Sequence, residues 1–149
     1  MKVAIQNCPP PFSRLMIRRV LNAAARETKT SHVQSMVDVS FVDDAVIRRV
    51  NRKHRGIDRV TDILSFTYEA PAATGPSAGR QPFGELLIGS AQLVRQAKRK
   101  KRRLADELRD LLIHGYLHLL GHDHHERVER GVMRGWEDRI RKRLNARKG

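Results

Sequence analysis

The chain has 149 residues, of which 30 are Lys or Arg and 16 are Asp or Glu, for a net charge of +14. That length fits one domain over residues 1–149 with a core of its own, and so strong a positive field favours a polyanionic partner, RNA or DNA first. A single cysteine, Cys8, excludes an intrachain disulfide framework and fits a reduced cytoplasm; the apolar run of Met1 to Ile5 is too short for a signal peptide, and no stretch approaches the length of a membrane span.

Lys2 to Gln6 alternates, with Val3 and Ile5 on one side, and reads as a strand interrupted by Pro9-Pro10-Pro11. Phe12 to Thr28 repeats apolar residues at helical spacing, with Leu15, Met16, Val20 and Ala23 or Ala24 on one stripe. Val33, Val37, Val39 and Phe41 share a parity, which predicts a second strand from about His32 to Val42. Two strands flanking a helix in this way form a parallel crossover unit. Asp43 or Asp44 can cap a helix carrying Val46, Ile47 and Val50.

The stretch from Asn51 to Phe66 is the first that carries chemistry. Basic residues close the helix, and a polar turn feeds a third strand from Thr61 to Thr67. An arginine there can clamp a phosphate through two hydrogen bonds; equally, cations at that place pair favourably with a helix C-terminus. Composition does not choose between the two. Glu69 to Pro82 is rich in Pro, Gly, Ala and Ser and reads as a loop. A fourth strand over Glu85 to Ile88 follows, then a helix from about Ser90 with Leu93, Val94 and Ala97 on its apolar face. That helix runs into the basic residues Lys98 to Arg103.

Leu104, Leu108, Leu111 and Leu112 open the helix that carries the most informative segment, His114-Gly115-Tyr116-Leu117-His118-Leu119-Leu120-Gly121-His122-Asp123-His124. His114 and His118 lie on one helical face about a turn apart. Gly121 can end the helix in the left-handed conformation, letting the chain turn back and aim His124 at the other two. Three neutral imidazoles with a fourth position for water is the layout of a catalytic zinc site. The histidines and the glycine share the register of the metzincin H-E-x-x-H-x-x-G-x-x-H pattern, but Gly115 stands where the glutamate base belongs. The metal cage is kept and the peptidase base is missing. His122 competes as a ligand only if the helix continues past Gly121. Asp123 and Asp110 are candidates to orient a ligand imidazole, or plain turn and surface chemistry. No general base is evident; Glu85 and Asp123 are the candidates. A last helix spans roughly Glu126 to Asn145 and ends in a basic tail.

The expected fold class is therefore α/β (α+β): a small mixed four-stranded sheet packed with about five helices, with the metal motif on a helix in the C-terminal half.

The two constellations together resemble the YbeY family of bacterial metal-dependent endoribonucleases. The segment His114 to His124 is similar to that family's signature at every fixed position, and Asn51, Arg55, Asp58 and Thr61-Asp62-Ile63-Leu64-Ser65-Phe66 resemble its second conserved block. Gly84 to Ile88 resembles its Gly-Asp-Ile-type strand, and Glu129, Met133 and Glu137 fall where its last helix carries similar residues. Val60 and Thr67 depart from it, standing where prolines are usual. The resemblance implies one zinc ion held by His114, His118 and His124, and cleavage of single-stranded RNA. It further implies roles in ribosomal RNA maturation at the small-subunit 3′ end and in ribosome quality control, with small-subunit proteins as further partners. It gives Arg55 a role on the RNA substrate. The basic runs Lys98 to Arg103 and Arg139, Arg141, Lys142 and Arg143 are expected to attract the RNA backbone. Two rival readings follow from the same residues: a ribosome assembly factor whose zinc is structural, and a metal hydrolase acting on peptides or small molecules. The charge balance speaks against the second, and a three-ligand site against the first.

Overall fold

A mixed four-stranded sheet in the order β1-β2-β4-β3 forms the middle of the molecule. The computed structural model describes residues 1–30, 36–68, 82–121 and 127–146. Strands β1 (Lys2–Gln6) and β2 (Met36–Val42) pair in parallel, and helix α1 (Arg14–Glu27) makes the crossover between them, as the flanking valine-rich strands predict. In β2, Val37, Val39 and Phe41 are buried and their neighbours are not, so period-two alternation sets which face meets the core.

Helix α2 (Asp44–Arg55) carries the chain to β3 (Ile63–Thr67), which is the outer strand and pairs antiparallel with β4 (Gly84–Gly89). Strand β4 lies between β3 and β2 and is parallel to β2. Leu86 and Ile88 of β4 are fully buried, as an inner strand requires. The remaining helices are α3 (Ser90–Arg99), α4 (Leu104–Leu119) and α5 (Arg127–Ala146).

The main core unites β1, β2 and β4 with α1, α4 and α5. Helix α4 is its centre: Leu108, Leu112, Ile113, Tyr116 and Leu117 are each at most 1% exposed. Burial of each such side chain is worth about 1.5–3 kcal/mol, so α4 is held by packing more than by its own propensity. The buried Tyr116 hydroxyl keeps a partner, the Thr30 Oγ1 at 2.6 Å. A smaller cluster on Ile47, Leu64 and Leu87 fastens α2 to the sheet.

One sequence expectation is corrected in α1. Of the expected stripe, Val20, Ala23 and Ala24 are buried, but Leu15 is 67% exposed, and Ile17 and Leu21 are buried in its place. Two overlapping stripes exist in this alanine-rich helix. The one chosen lets α1 pack against α4 and α5 as well as the sheet, and it carries more branched apolar surface. The third strand starts at Ile63, two residues later than read from the sequence. The loop expected over Glu69 to Pro82 lies almost wholly outside the described residues, as does the start of the second strand.

Candidate metal centre and cleft

The site begins with two helix ends. Helix α2 starts where Asp43 Oδ1 accepts the Val46 amide at 2.9 Å and stops at Gly56, whose φ of +69° is left-handed. The stop leaves His54 and Arg55 exposed on the last turn. The turn that follows is tied back to the helix at two points. Arg48 grips Asp58 through Nε–Oδ1 at 2.8 Å and Nη2–Oδ2 at 3.3 Å, and the hydrogen bond from Arg48 holds the Asp58 carboxyl below the usual carboxylate range. Buried Asn51 donates its Nδ2 to the Arg59 carbonyl at 2.9 Å. Asn51 and Asp58, both within the second sequence constellation, thus hold the turn, while Arg55 has no ion pair among the described residues.

Helix α4 stops one residue after His118, at Leu119. The Gly121 amide donates to the His118 carbonyl at 2.9 Å, and Gly121 takes a φ of +90°. The helical register is therefore broken at Gly121, as the glycine predicts. His122, Asp123, His124 and His125 lie outside the described residues, so the third expected ligand does too, and no group of three metal-ligating side chains occurs among the described residues.

The two described histidines converge: His114 Nε2 and His118 Nε2 are 2.9 Å apart. Two imidazole lone pairs so close repel unless a proton or a cation lies between them. Zn–N bonds of about 2.0–2.1 Å at a tetrahedral angle put two nitrogens about 3.3 Å apart, so a few tenths of an ångström of opening admits the ion. Behind His114, Glu137 Oε1 lies 3.5 Å from Nδ1, the arrangement in which a carboxylate turns the other ring nitrogen towards a metal.

Glu137 is one end of a chain of polar contacts around α4. Its Oε2 lies 3.5 Å from Arg141 Nη2, and Arg141 Nε meets Asp110 Oδ1 at 3.0 Å. Arg102 joins Asp110 at 2.6 Å to Glu107 at 2.8 Å. Glu107, 4% exposed, also takes Lys100 Nζ at 2.7 Å and Gln96 Nε2 at 2.9 Å, and the same Nε2 reaches Asp62 Oδ2 at 2.9 Å. Burial pushes the Glu107 and Asp110 carboxyls up, but these hydrogen bonds and charges outweigh it and hold both below the usual range. Asp110 is thus an anchor for arginines, not a partner of His114. The basic runs are likewise partly committed: Lys100, Arg102 and Arg141 sit in this chain, Arg143 holds Glu27 at 2.6 Å, and Arg139 covers the Trp136 ring at 3.9 Å.

Both sequence constellations meet in a cleft of about 680 Å³. Its walls include His54 and Arg55 from α2, Thr61 to Phe66 along β3, and Leu111, His114 and His118 from α4. Asp62 supplies the carboxylate among its described lining residues, and it already accepts the Ile63 amide and Gln96. Glu85, a candidate base by sequence, does not line the cleft; its Oε2 accepts the Tyr68 hydroxyl at 2.5 Å. Gly115 faces the sheet. A Cβ there would lie 2.7 Å from Ile63 Cδ1 and 3.0 Å from Leu86 Cδ2, so the place of the metzincin glutamate has no room for one. Sequence reasoning missed His54 and the contact of Glu137 with His114; the first sits next to Arg55, and the second was visible only as a residue similar to the family's.

Comparison with known proteins assigns the chain to a family. The family model described as Endoribonuclease YbeY matches residues 8–145. Proteins named Endoribonuclease YbeY are similar along most of the chain. That of Chelativorans sp. is 36% identical over 127 residues, covering 85% of this chain and 76% of the relative. That of Rhizobium etli is 34% identical over 148 residues, covering 93% and 85%. That of Moorella thermoacetica is 40% identical over 112 residues, covering 72% and 71%. The solution structure of TM1509 from Thermotoga maritima shares the fold, with a TM-score of 0.59 at 19% identity over 97% of this chain and 93% of that one. With its mixed sheet, its paired helix histidines and relatives of this similarity, the chain belongs to the endoribonuclease YbeY family.

Proposed function

We propose that this chain is a zinc-dependent endoribonuclease that cuts single-stranded RNA, with one ion held by His114, His118 and His124 and the scissile phosphate held by Arg55. The observation that carries the reading is the convergence of His114 Nε2 and His118 Nε2, 2.9 Å apart, in the cleft that Arg55 also lines. Family membership supports the endoribonuclease activity, and the formal charge of +14 suits a polyanion. The small-subunit 3′ end of ribosomal RNA as substrate, small-subunit proteins as partners and a cytoplasmic location follow from the resemblance. Among the described residues no helix is long and apolar enough to cross a membrane.

Each residue has a task. The three imidazoles bind through neutral nitrogens, and Glu137 keeps the His114 ring turned so that Nε2 faces the ion. When bound, zinc supplies Lewis acidity towards a phosphoryl oxygen and makes water a stronger acid near neutral pH. Arg55, which has no ion pair among the described residues, offers its planar fork to the phosphate and steadies the charge that develops on it. Gly115 keeps α4 close to β3, which sets the distance between the histidines and the arginine. The H-E-x-x-H glutamate has no room, so peptide hydrolysis by that route is closed.

The test is metal analysis paired with cleavage of single-stranded RNA. The expected result is about one zinc per chain, loss of cleavage with chelator and its return with zinc, and loss of both metal and cleavage in His114→Ala. Cleavage that survives chelation and the His114 substitution refutes the proposal.

A further inference from the structure

The metal and phosphate roles leave one wall of the cleft unused. His54 and Phe66 meet there with ring centroids 5.1 Å apart and planes tilted by 66°, and both rings line the cleft. They come from different elements and are held differently. Phe66, in β3, is half-buried on the Ile47, Leu64 and Leu87 cluster, so its ring has a fixed seat. His54 stands on the last turn of α2 and is exposed, with Phe66 behind it. The chain turns away immediately afterwards at Gly56. The next side chain is Arg55, which has no ion pair among the described residues.

A flat ring braced by a second ring, one residue from an exposed guanidinium, matches the two halves of a nucleotide. Aromatic faces stack on any nucleobase, and arginine takes the phosphate. We propose that His54, braced by Phe66, is a stacking platform for an unpaired nucleobase adjoining the phosphate that Arg55 holds. The proposal rests on the endoribonuclease reading and adds to it a base subsite. It also gives a physical reason for choosing single strands: in a duplex both faces of each base are covered by neighbours, and only an unstacked base can lie on the ring.

The experiment measures equilibrium binding of a short fluorescein-labelled 2′-O-methyl oligoadenylate and of the same backbone lacking its bases. Wild type, His54→Ala, His54→Phe and Arg55→Ala are compared in the zinc-loaded protein. His54 is exposed, so its substitution leaves the fold intact; unchanged zinc content and circular dichroism check this. The expected result is that His54→Ala weakens oligoadenylate binding roughly 5- to 100-fold and leaves binding of the base-less backbone unchanged. His54→Phe keeps the affinity, and Arg55→Ala weakens both ligands. Wild-type affinity in His54→Ala, or an equal loss on both ligands, overturns the platform while leaving the nuclease reading in place. Wild-type protein that binds neither ligand and cuts no single-stranded RNA overturns the reading itself and the platform with it.

Discussion

Gly115 offers the sharpest test, because two physical effects of Gly115→Ala oppose each other and the structure says which wins. Inside a helix, alanine is about 1 kcal/mol more favourable than glycine. Against that, the new Cβ would lie 2.7 Å from Ile63 Cδ1, 3.0 Å from Leu86 Cδ2 and 3.5 Å from Ser65 Oγ. Ile63 is half-buried at the cleft wall and can turn its end methyl aside. Leu86 is fully buried on an inner strand and cannot do so freely. Overpacking of this kind costs about 1–3 kcal/mol, so the balance is a loss of up to about 2 kcal/mol. At about 2–4 °C per kcal/mol for a chain of this size, Tm falls by up to about 8 °C. Urea and thermal unfolding of the zinc-free protein measure this directly. Because α4 carries His114 and His118, lifting it from β3 also separates the histidines from Arg55, and RNA cleavage falls with stability. A Gly115→Ala protein about 1 kcal/mol more stable than wild type, with undiminished cleavage, refutes the close packing of α4 on β3 and the steric exclusion of a glutamate.

Two further predictions concern the polar chain around α4. Glu137→Gln lowers zinc affinity about 10- to 100-fold, the usual effect of losing an orienting carboxylate, with little change in the unfolding of zinc-free protein; competition with a chromophoric chelator reads it, and wild-type affinity removes Glu137 from the site. Glu107 and Asp110 both have carboxyls held below the usual range, so the stability they contribute is fully present above their unfolded values near pH 4 and is lost as pH falls through the lower folded values. Unfolding free energy of zinc-free protein measured from pH 6 downwards should fall steeply below about pH 4, and the Glu107→Gln, Asp110→Asn pair should flatten that fall; an unaltered slope means the two carboxyls do not carry it.

Much of this molecule is written in local pattern. Period-two burial at Val37, Val39 and Phe41 marks β2, Asp43 and Gly56 bound α2, and the four-residue spacing of His114 and His118 with Gly121 after them foretells two converging imidazoles and a helix stop. These properties depend on neighbours within a turn or two, so one sequence suffices to read them. The tertiary structure decided what distant residues do to one another. It placed β3 at the sheet edge, so that the Arg55 turn faces the histidines across the cleft. It buried Ile17 in place of Leu15, since the stripe that faces α4 and α5 depends on where those helices lie. It drew Asp110, Arg102 and Arg141 into mutual pairs and put Glu137 beside His114. It also turned the missing glutamate at Gly115 from an observation about residue type into one about space, because only the assembled sheet brings Ile63 and Leu86 against that helix face.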